Sequence, residues 1–443
     1  MVKVKINKFY FKFKNGQSYY LPLYSTVSGC FFGLLILTFM GYFMFGDHIW
    51  IMFQFILVAF YVCYLINLFV SHNGFFNYFR VNQIKRLIIA NWLKIKGTGA
   101  QYVQVPFIDV IRNNDATLLI RINKVVGLLD SELDSVRQLV NSSLVGRWEN
   151  YAVISQWIAD NGLYFSFIAE NVGINQTFIP NCEKDLVQKS YFVKLQNNLI
   201  INLAKSPHIA IWGATGTGKT TVLFSIIAQC LSNGTTLLFL DGKDEFSSLS
   251  NFYPRNRIVS NNSAVLRLLA KICDYVLPRR QKFVASQVRR KQQLGLTGYD
   301  LGLRPIVIIT DEIGSIVASM TLKEKKLLIA YLTQIIQKGR SVSVFLVVAT
   351  QSPSVDVLPQ AIRAQFSTKI LLGSTNNDDQ RMALGQSIGV NYVDKFTGYY
   401  FLEGKTLVPQ RFWVPNLIKN NLQKLEVLKK LYNRSVSYSN KKH

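Results

Sequence analysis

The sequence predicts an α/β protein: a doubly wound, mostly parallel sheet with helices on both faces, joined to a small α/β domain and an amino-terminal two-helix transmembrane hairpin. Three observations predict it. Residues 21–79 hold no Lys or Arg and a single acid, Asp47. A glycine-rich loop, GATGTGKT, sits between an aliphatic strand and an apolar helix within residues 208–231. Three further aliphatic runs, ending near Asp241, Asp311 and Thr350, follow with helical stretches between them, the alternation that builds a parallel sheet.

A chain of 443 residues is long enough for two or three domains, each with its own core. Fifty Lys and Arg against 25 Asp and Glu leave a net charge of +25, which favours a polyanionic partner, nucleic acid or an anionic membrane surface. Cys30, Cys63, Cys182, Cys230 and Cys273 form no CxxC pair, and none lies near a His in sequence. They read as reduced packing thiols of an intracellular protein rather than zinc ligands.

Two apolar runs, 21–45 and 49–70, each match the ~20 residues a helix needs to cross a bilayer. Only GDH separates them, so they must return as a tight hairpin, and a cleaved signal peptide would not be followed by a second span. Lys3, Lys5, Lys8, Lys12 and Lys14 precede the first run; Arg80, Lys85, Arg86, Lys94 and Lys96 follow the second. Both termini are therefore expected on the cytoplasmic side of the plasma membrane. Tyr19, Tyr20, Tyr24, Trp50, Phe75, Phe76 and Tyr78 fall where an interfacial aromatic belt belongs. Ser25, Gly29 and Gly33 make a small-xxx-small stripe, read either as a helix-contact face or as ordinary membrane-helix glycine. Gln54 and Asn67 could hydrogen-bond between helices but are too few for a transport pathway.

Residues 100–180 read as strands at FIDVIRN, TLLIRIN, YAVISQWI and GLYFSFIAE around a helix at DSELDSVRQLVNSSLV, with Asp130 or Ser131 as its cap. No catalytic constellation stands out there, so an assembly or docking role is expected. The expected organisation is a basic terminus (1–20), the hairpin (21–79), a basic juxtamembrane segment (80–99), the small domain (100–180), the nucleotide-binding core (181–415) and a basic helix and tail (416–443).

Gly213, Gly218, Lys219 and Thr220 satisfy GxxxxGK[ST] in full. Glycines let the backbone of residues 213–221 (Gly213, Ala214, Thr215, Gly216, Thr217, Gly218, Lys219, Thr220, Thr221) wrap the phosphates of ATP, with the helix N-terminus adding its dipole. Lys219 puts a point charge on the β- and γ-phosphates, and the Thr220 hydroxyl reaches Mg²⁺. IVIIT before Asp311 and Glu312 is an apolar central strand delivering carboxylates to the sheet edge where ligands bind. Asp311 is the expected magnesium ligand and Glu312 the residue that orients the attacking water. VFLVVAT ends in Thr350 and Gln351, and Gln351 is placed to sense the γ-phosphate. The core is thus a RecA-like P-loop NTPase.

SPHIAIWGATGTGKTT, FLDGKDEF, PIVIITDEIGSI, the 337–374 run containing ATQSPSVDVLP, and DDQRMALG together resemble the FtsK/SpoIIIE DNA-translocase family over roughly 205–415. The resemblance implies a homo-oligomeric ring, expected to be hexameric, that hydrolyses ATP at subunit boundaries and translocates DNA. It implies an inter-subunit arginine at Arg340, since Lys338-Gly339-Arg340 stands where the family has Lys-Ala-Arg; Arg363 and Arg381 are alternatives. Lys369 stands where the family commonly has Arg, and is assigned no such role. RRQKFVASQVRRK, 279–291, is read either as a phosphate-contacting helix or as a solvated or subunit-facing basic surface. The short layout is similar to the TcpA-like coupling ATPases of Gram-positive conjugative elements. That implies relaxase or relaxosome and transfer-channel partners, with no orientation-reading module expected after Pro415. Septal DNA segregation and protein secretion are the competing functions.

Overall fold

Leu23–Phe45 (α1) and Ile49–Ser71 (α2) are uninterrupted helices, apolar on every face. In this computed structural model, residues 11–12, 18–19, 23–46, 48–71, 75–96, 106–112, 117–125, 128–159, 162–354, 357–386, 393–406 and 409–440 are described. They divide into two compact units, Met1–Ile174 and Asn175–His443. The boundary falls at 174/175, six residues before the position expected, and the helix after residue 415 belongs to the second unit.

In the first unit, α1 and α2 are long and apolar enough to cross a membrane, and Phe32, Leu37, Phe43, Phe55 and Phe60 point outward. The two helices meet through Phe31 stacked on Tyr61 at 4.1 Å, a Ser28–Tyr61 hydroxyl pair at 2.9 Å, and Gly41 against the Trp50 ring. Gly29 and Gly33 face away from α2, with nothing within 4 Å, so their stripe does not build the hairpin. Gln54 lines a groove with Leu35, Phe39 and Val58. Lys3, Lys5, Lys8, Lys14, Tyr20 and Asp47, and the side chains of Tyr24, Ser25, Phe75, Phe76, Tyr78, Lys94 and Lys96, lie outside the described residues.

Phe75–Lys96 (α3) is where the juxtamembrane expectation needed more than charge. Val81, Ile84, Ile88 and Trp92 recur at three- and four-residue spacing and are all buried. They close one core with Ile108–Arg112 (β1), Thr117–Asn123 (β2), Leu133–Ser143 (α4), Tyr151–Ala159 (β3) and Tyr164–Asn171 (β4). The sheet is antiparallel throughout, in the order β1-β2-β4-β3. Leu118, Ile120 and Ile122 alternate inward along β2, the period a half-buried strand needs. Neither Asp130 nor Ser131 caps α4: they sit in a 3₁₀ turn, Glu132 holds the cap position, and its carboxylate reaches back to the Leu129 N–H at 3.1 Å.

The second unit opens with a hairpin, Phe192–Gln196 (β5) and Leu199–Asn202 (β6). The main sheet follows from Ile209–Gly213 (β7), Thr236–Leu240 (β8), Ile258–Val259 (β9), Ile306–Thr310 (β10), Val344–Thr350 (β11), Thr368–Leu372 (β12), Thr397–Leu402 (β13) and Gln410–Trp413 (β14). Its order is β9-β8-β10-β11-β7-β12-β13-β14, parallel from β9 to β12 and antiparallel beyond. Every residue of β7, β10, β11 and β12 is buried, because helices cover both faces and leave no wet side. Ile209, Ile211, Val307 and Ile309 pack on Lys219–Ser232 (α5) and its neighbours. Ala210, Trp212, Ile308 and Val348 face the opposite core, with Asn262–Lys271 (α6), Leu277–Lys291 (α7) and Leu322–Gly339 (α9); Ile313–Ala318 is α8. This is the RecA-like doubly wound core expected from the sequence.

Gln360–Arg363 (α10) and Asn377–Leu384 (α11) flank β12, and Leu425–Asn440 (α12) completes the first core. Leu428 and Leu431 of α12 are buried, Tyr432 packs edge-on to Tyr253 at 5.1 Å, and Lys430 and Arg434 both pair with Glu183 at 3.4 Å. Of the cysteines, Cys230 and Cys273 are buried and the others exposed, so only two are packing thiols.

Candidate nucleotide-binding site

The loop after β7 takes conformations that demand glycine. Gly213, Gly216 and Gly218 have φ of +154°, +82° and +109°. A Cβ on Gly213 would stand 2.8 Å from Leu372 O and from Thr217 Oγ1, so the backbone passes where no side chain fits. Gly218 caps α5, and Thr217 Oγ1 donates to Ala214 O at 2.8 Å, tightening the turn. The loop therefore crosses the positive end of a 14-residue helix, the natural seat of an anion. Lys219 donates to Gly213 O (2.6 Å) and Ala214 O (3.0 Å), and burial pulls its pKa down against the opposing pull of Glu312. Thr220 and Thr221 lie half-buried in the first turn of α5, while Ala214, Thr215 and Gly216 are exposed.

Across one strand, β11, the acids emerge from the end of β10. Asp311 is 6% exposed and accepts from the Gly242 N–H at 3.3 Å. Burial, and then the carboxylate of Asp241, push its pKa up to about 6. Asp241 is committed to the loop after β8, accepting from the N–H groups of Glu245 (2.9 Å) and Phe246 (2.8 Å). A buried carboxylate raised by a second one beside it is a disposition suited to a bound cation. Glu312 is 4% exposed and tightly held. Its Oε1 accepts from Thr350 Oγ1 at 2.8 Å and from the Gln351 N–H at 3.3 Å; its Oε2 lies 3.5 Å from Lys243 Nζ. Gln351 thus meets Glu312 through its main chain, and its side chain is exposed. The roles of Thr350 and Lys243 as clamps on Glu312 were not readable from their positions at strand ends.

The structure brings Gly213, Lys219, Asp311, Glu312 and the Gln351 backbone to one sheet edge. It does not bring Arg340 there. Arg340 is exposed at the C-terminus of α9, just before β11, and so stands at the opposite edge. Arg363 is buried and donates to Met382 O at 2.8 Å, whereas Arg381 is exposed on α11. Lys369 is buried in β12 with its ammonium 5.7 Å from the Phe401 ring. On α7, Arg280 donates to the carbonyls of Val342, Ser343 and Arg304 at 2.9–3.1 Å, so it ties the fold together. Arg279, Lys282, Arg289, Arg290 and Lys291 remain exposed.

His208, just before β7, has φ +62° and is 1% exposed. Its Nδ1 accepts from the Leu346 N–H at 3.0 Å, which leaves Nε2 protonated to donate to Ile336 O at 3.1 Å. Burial lowers its pKa to about 4, so the neutral ring pins the end of α9 to β11. Three residues on, Gly339 has no room for a Cβ, which would collide with Val344 O. The glycine in Lys338-Gly339-Arg340 is thus set by the close approach of α9 to β11.

Residues 190–355 match the FtsK/SpoIIIE family. That segment is similar to an FtsK/SpoIIIE domain. The chain is 27% identical over 252 residues to the Ftsk domain-containing protein YdcQ of Bacillus subtilis, covering 55% of this chain and 52% of that one. It is 29% identical over 202 residues to DNA translocase FtsK of Borreliella burgdorferi, covering 43% of this chain and 25% of the relative. It therefore spans about half, and about a quarter, of the curated relatives it matches. A solved structure of the pCW3 conjugation coupling protein TcpA, monomer form with ATPγS, is 16% identical with a TM-score of 0.48, over 79% of this chain and 99% of that one.

Proposed function

We propose that the protein is a membrane-anchored, ATP-driven DNA translocase, and that it serves as the coupling protein delivering relaxase-bound DNA to a conjugative transfer channel. The observation that carries the reading is the clamp on Glu312. In a segment similar to an FtsK/SpoIIIE domain, a carboxylate held by Thr350, the Gln351 N–H and Lys243 keeps one orientation, as a residue must if it is to orient and polarise water. Gly213 to Thr221 wrap the phosphates, Lys219 neutralises them, and Thr220 and Asp311 hold magnesium. Bound magnesium supplies charge neutralisation along the phosphates. Gln351 reports nucleotide state through the backbone contact it shares with Glu312.

DNA as the polymer draws on the relatives named DNA translocase and on the net charge of +25. Anchoring draws on α1 and α2, with both termini and the motor cytoplasmic. A homo-oligomeric, hexameric ring lets the exposed Arg340 of one subunit reach the neighbour's nucleotide. The conjugative assignment draws on the short course between the hairpin and the motor.

The test is ATP hydrolysis by the detergent-solubilised chain with and without DNA. Hydrolysis stimulated by DNA, abolished in Lys219→Ala and in Glu312→Gln, with nucleotide binding retained in the latter, is expected. A rate indifferent to DNA of any form refutes DNA translocation. Membrane pull-down with the Glu312→Gln trap should recover relaxase and its DNA; small secreted proteins in their place would assign the motor to secretion.

A further inference from the structure

The site leaves one question open: where the rest of the nucleotide lies. The sheet order answers its direction. Asp311 and Glu312 are on β10, to one side of β7, while β12, β13 and β14 lie on the other. A triphosphate with its γ end toward the acids must run across the loop with its α end toward β12–β14.

At that end an aromatic ring lies against the loop. A Cβ built on Gly218 would stand 3.0 Å from Phe396 Cδ1 and from both methyls of Val414. Phe396 nevertheless keeps 46% of its surface exposed. Its backbone is in the left-handed region, φ +62°, where a bulky residue is strained. The strain is held from several sides. Thr397 donates through N–H (3.1 Å) and Oγ1 (2.7 Å) to Asp394 O, and the Val414 N–H donates to Phe396 O at 3.0 Å. The Gly373 N–H, beside Thr217 of the loop, donates to Thr397 O at 2.9 Å. Lys395 Nζ lies 5.3 Å from the centre of the Phe396 ring. A half-exposed aromatic fixed in a strained turn against the phosphate loop does more than fill a core.

We propose that Phe396, backed by Val414, is the platform on which the base of the bound nucleotide lies. The inference rests on the phosphate-loop reading of Gly213–Thr221 and adds the residue that holds the other end of the ligand. Stacking on a ring face tolerates any base, so the platform contributes affinity rather than choice between purines. Base stacking is lost on truncation to Ala and kept by an aromatic replacement.

The experiment is equilibrium binding to the full-length, detergent-solubilised chain, with ATP and with inorganic tripolyphosphate as separate ligands. Phe396→Ala should weaken ATP about tenfold. Phe396→Tyr should stay within about twofold of the wild type, and tripolyphosphate should bind all three proteins alike. ATP binding unchanged in Phe396→Ala overturns the platform. So does an equal loss for ATP and tripolyphosphate, which would make Phe396 a shaper of the loop. A wild type that binds neither ligand, or a Lys219→Ala that binds both normally, overturns the phosphate-loop reading and the platform with it.

Discussion

Replacing His208 by Ala should cost far more than its small size implies. The imidazole occupies a buried position from which it satisfies the Leu346 N–H at 3.0 Å and the Ile336 carbonyl at 3.1 Å. Alanine leaves both groups unpaired in the interior, at roughly 1–3 kcal/mol each, and leaves a void as well. The expected loss is about 3–5 kcal/mol, which for a unit of this size, Asn175–His443, lowers Tm by about 5–10 °C. His208→Asn keeps an acceptor near Nδ1 and tolerates φ +62°, so its loss should be nearer 1–2 kcal/mol by the same reckoning. The wild type also carries a pH signature. Its folded pKa of about 4 lies below the ordinary 6.5, so the unfolded chain binds the extra proton between those values. The contribution is whole above pH 6.5 and declines as pH falls toward 4, by about 2 kcal/mol at pH 5. Thermal unfolding of the solubilised chain at pH 7.5 and pH 5 checks both parts. Equal Tm losses for the Ala and Asn variants, or an Asn variant with the wild-type sensitivity between pH 6.5 and 5, would refute the two-bond neutral pin.

Two further outcomes test the site and its scaffold. Asp311 carries a raised pKa, so its ionised form opposes folding of the nucleotide-free protein as pH rises from 3.8 through about 6. Asp311→Asn should therefore stabilise the folded protein at pH 7.5 by about 1–2 kcal/mol after allowance for solvent screening, seen as a higher Tm, while abolishing magnesium-dependent hydrolysis. A lower Tm would contradict this. Gly339→Ala should destabilise by about 1–3 kcal/mol, because α9 and β11 must part to admit the methyl, and denaturant unfolding reads the change directly. A neutral or stabilising effect there would show that the helix end yields freely.

By itself the sequence determined the parts whose causes are local. The phosphate loop, its strand and its helix are contiguous, and wrapping phosphates needs glycines at set spacing within eight residues. The acids were legible because a strand buried on both faces must be aliphatic until it reaches the sheet edge, where Asp311 and Glu312 stand. Even α3 announced its packing through Val81, Ile84, Ile88 and Trp92, though its charges drew the reading toward the membrane. Tertiary structure alone decided what depends on distant partners. Glu312 is clamped by Thr350, 38 residues away, and Lys243, 69 away; His208 is satisfied by groups 128 and 138 residues away. Arg280 looks like its neighbours on a basic helix until three carbonyls converge on it. Phe396 reads as one more aromatic near a turn until the crossing of the strands sets it on Gly218. Hydrophobic period and loop chemistry are carried by neighbours along the chain, whereas a hydrogen-bond partner or a stacking face is assigned only when the sheet order brings remote segments to the same edge.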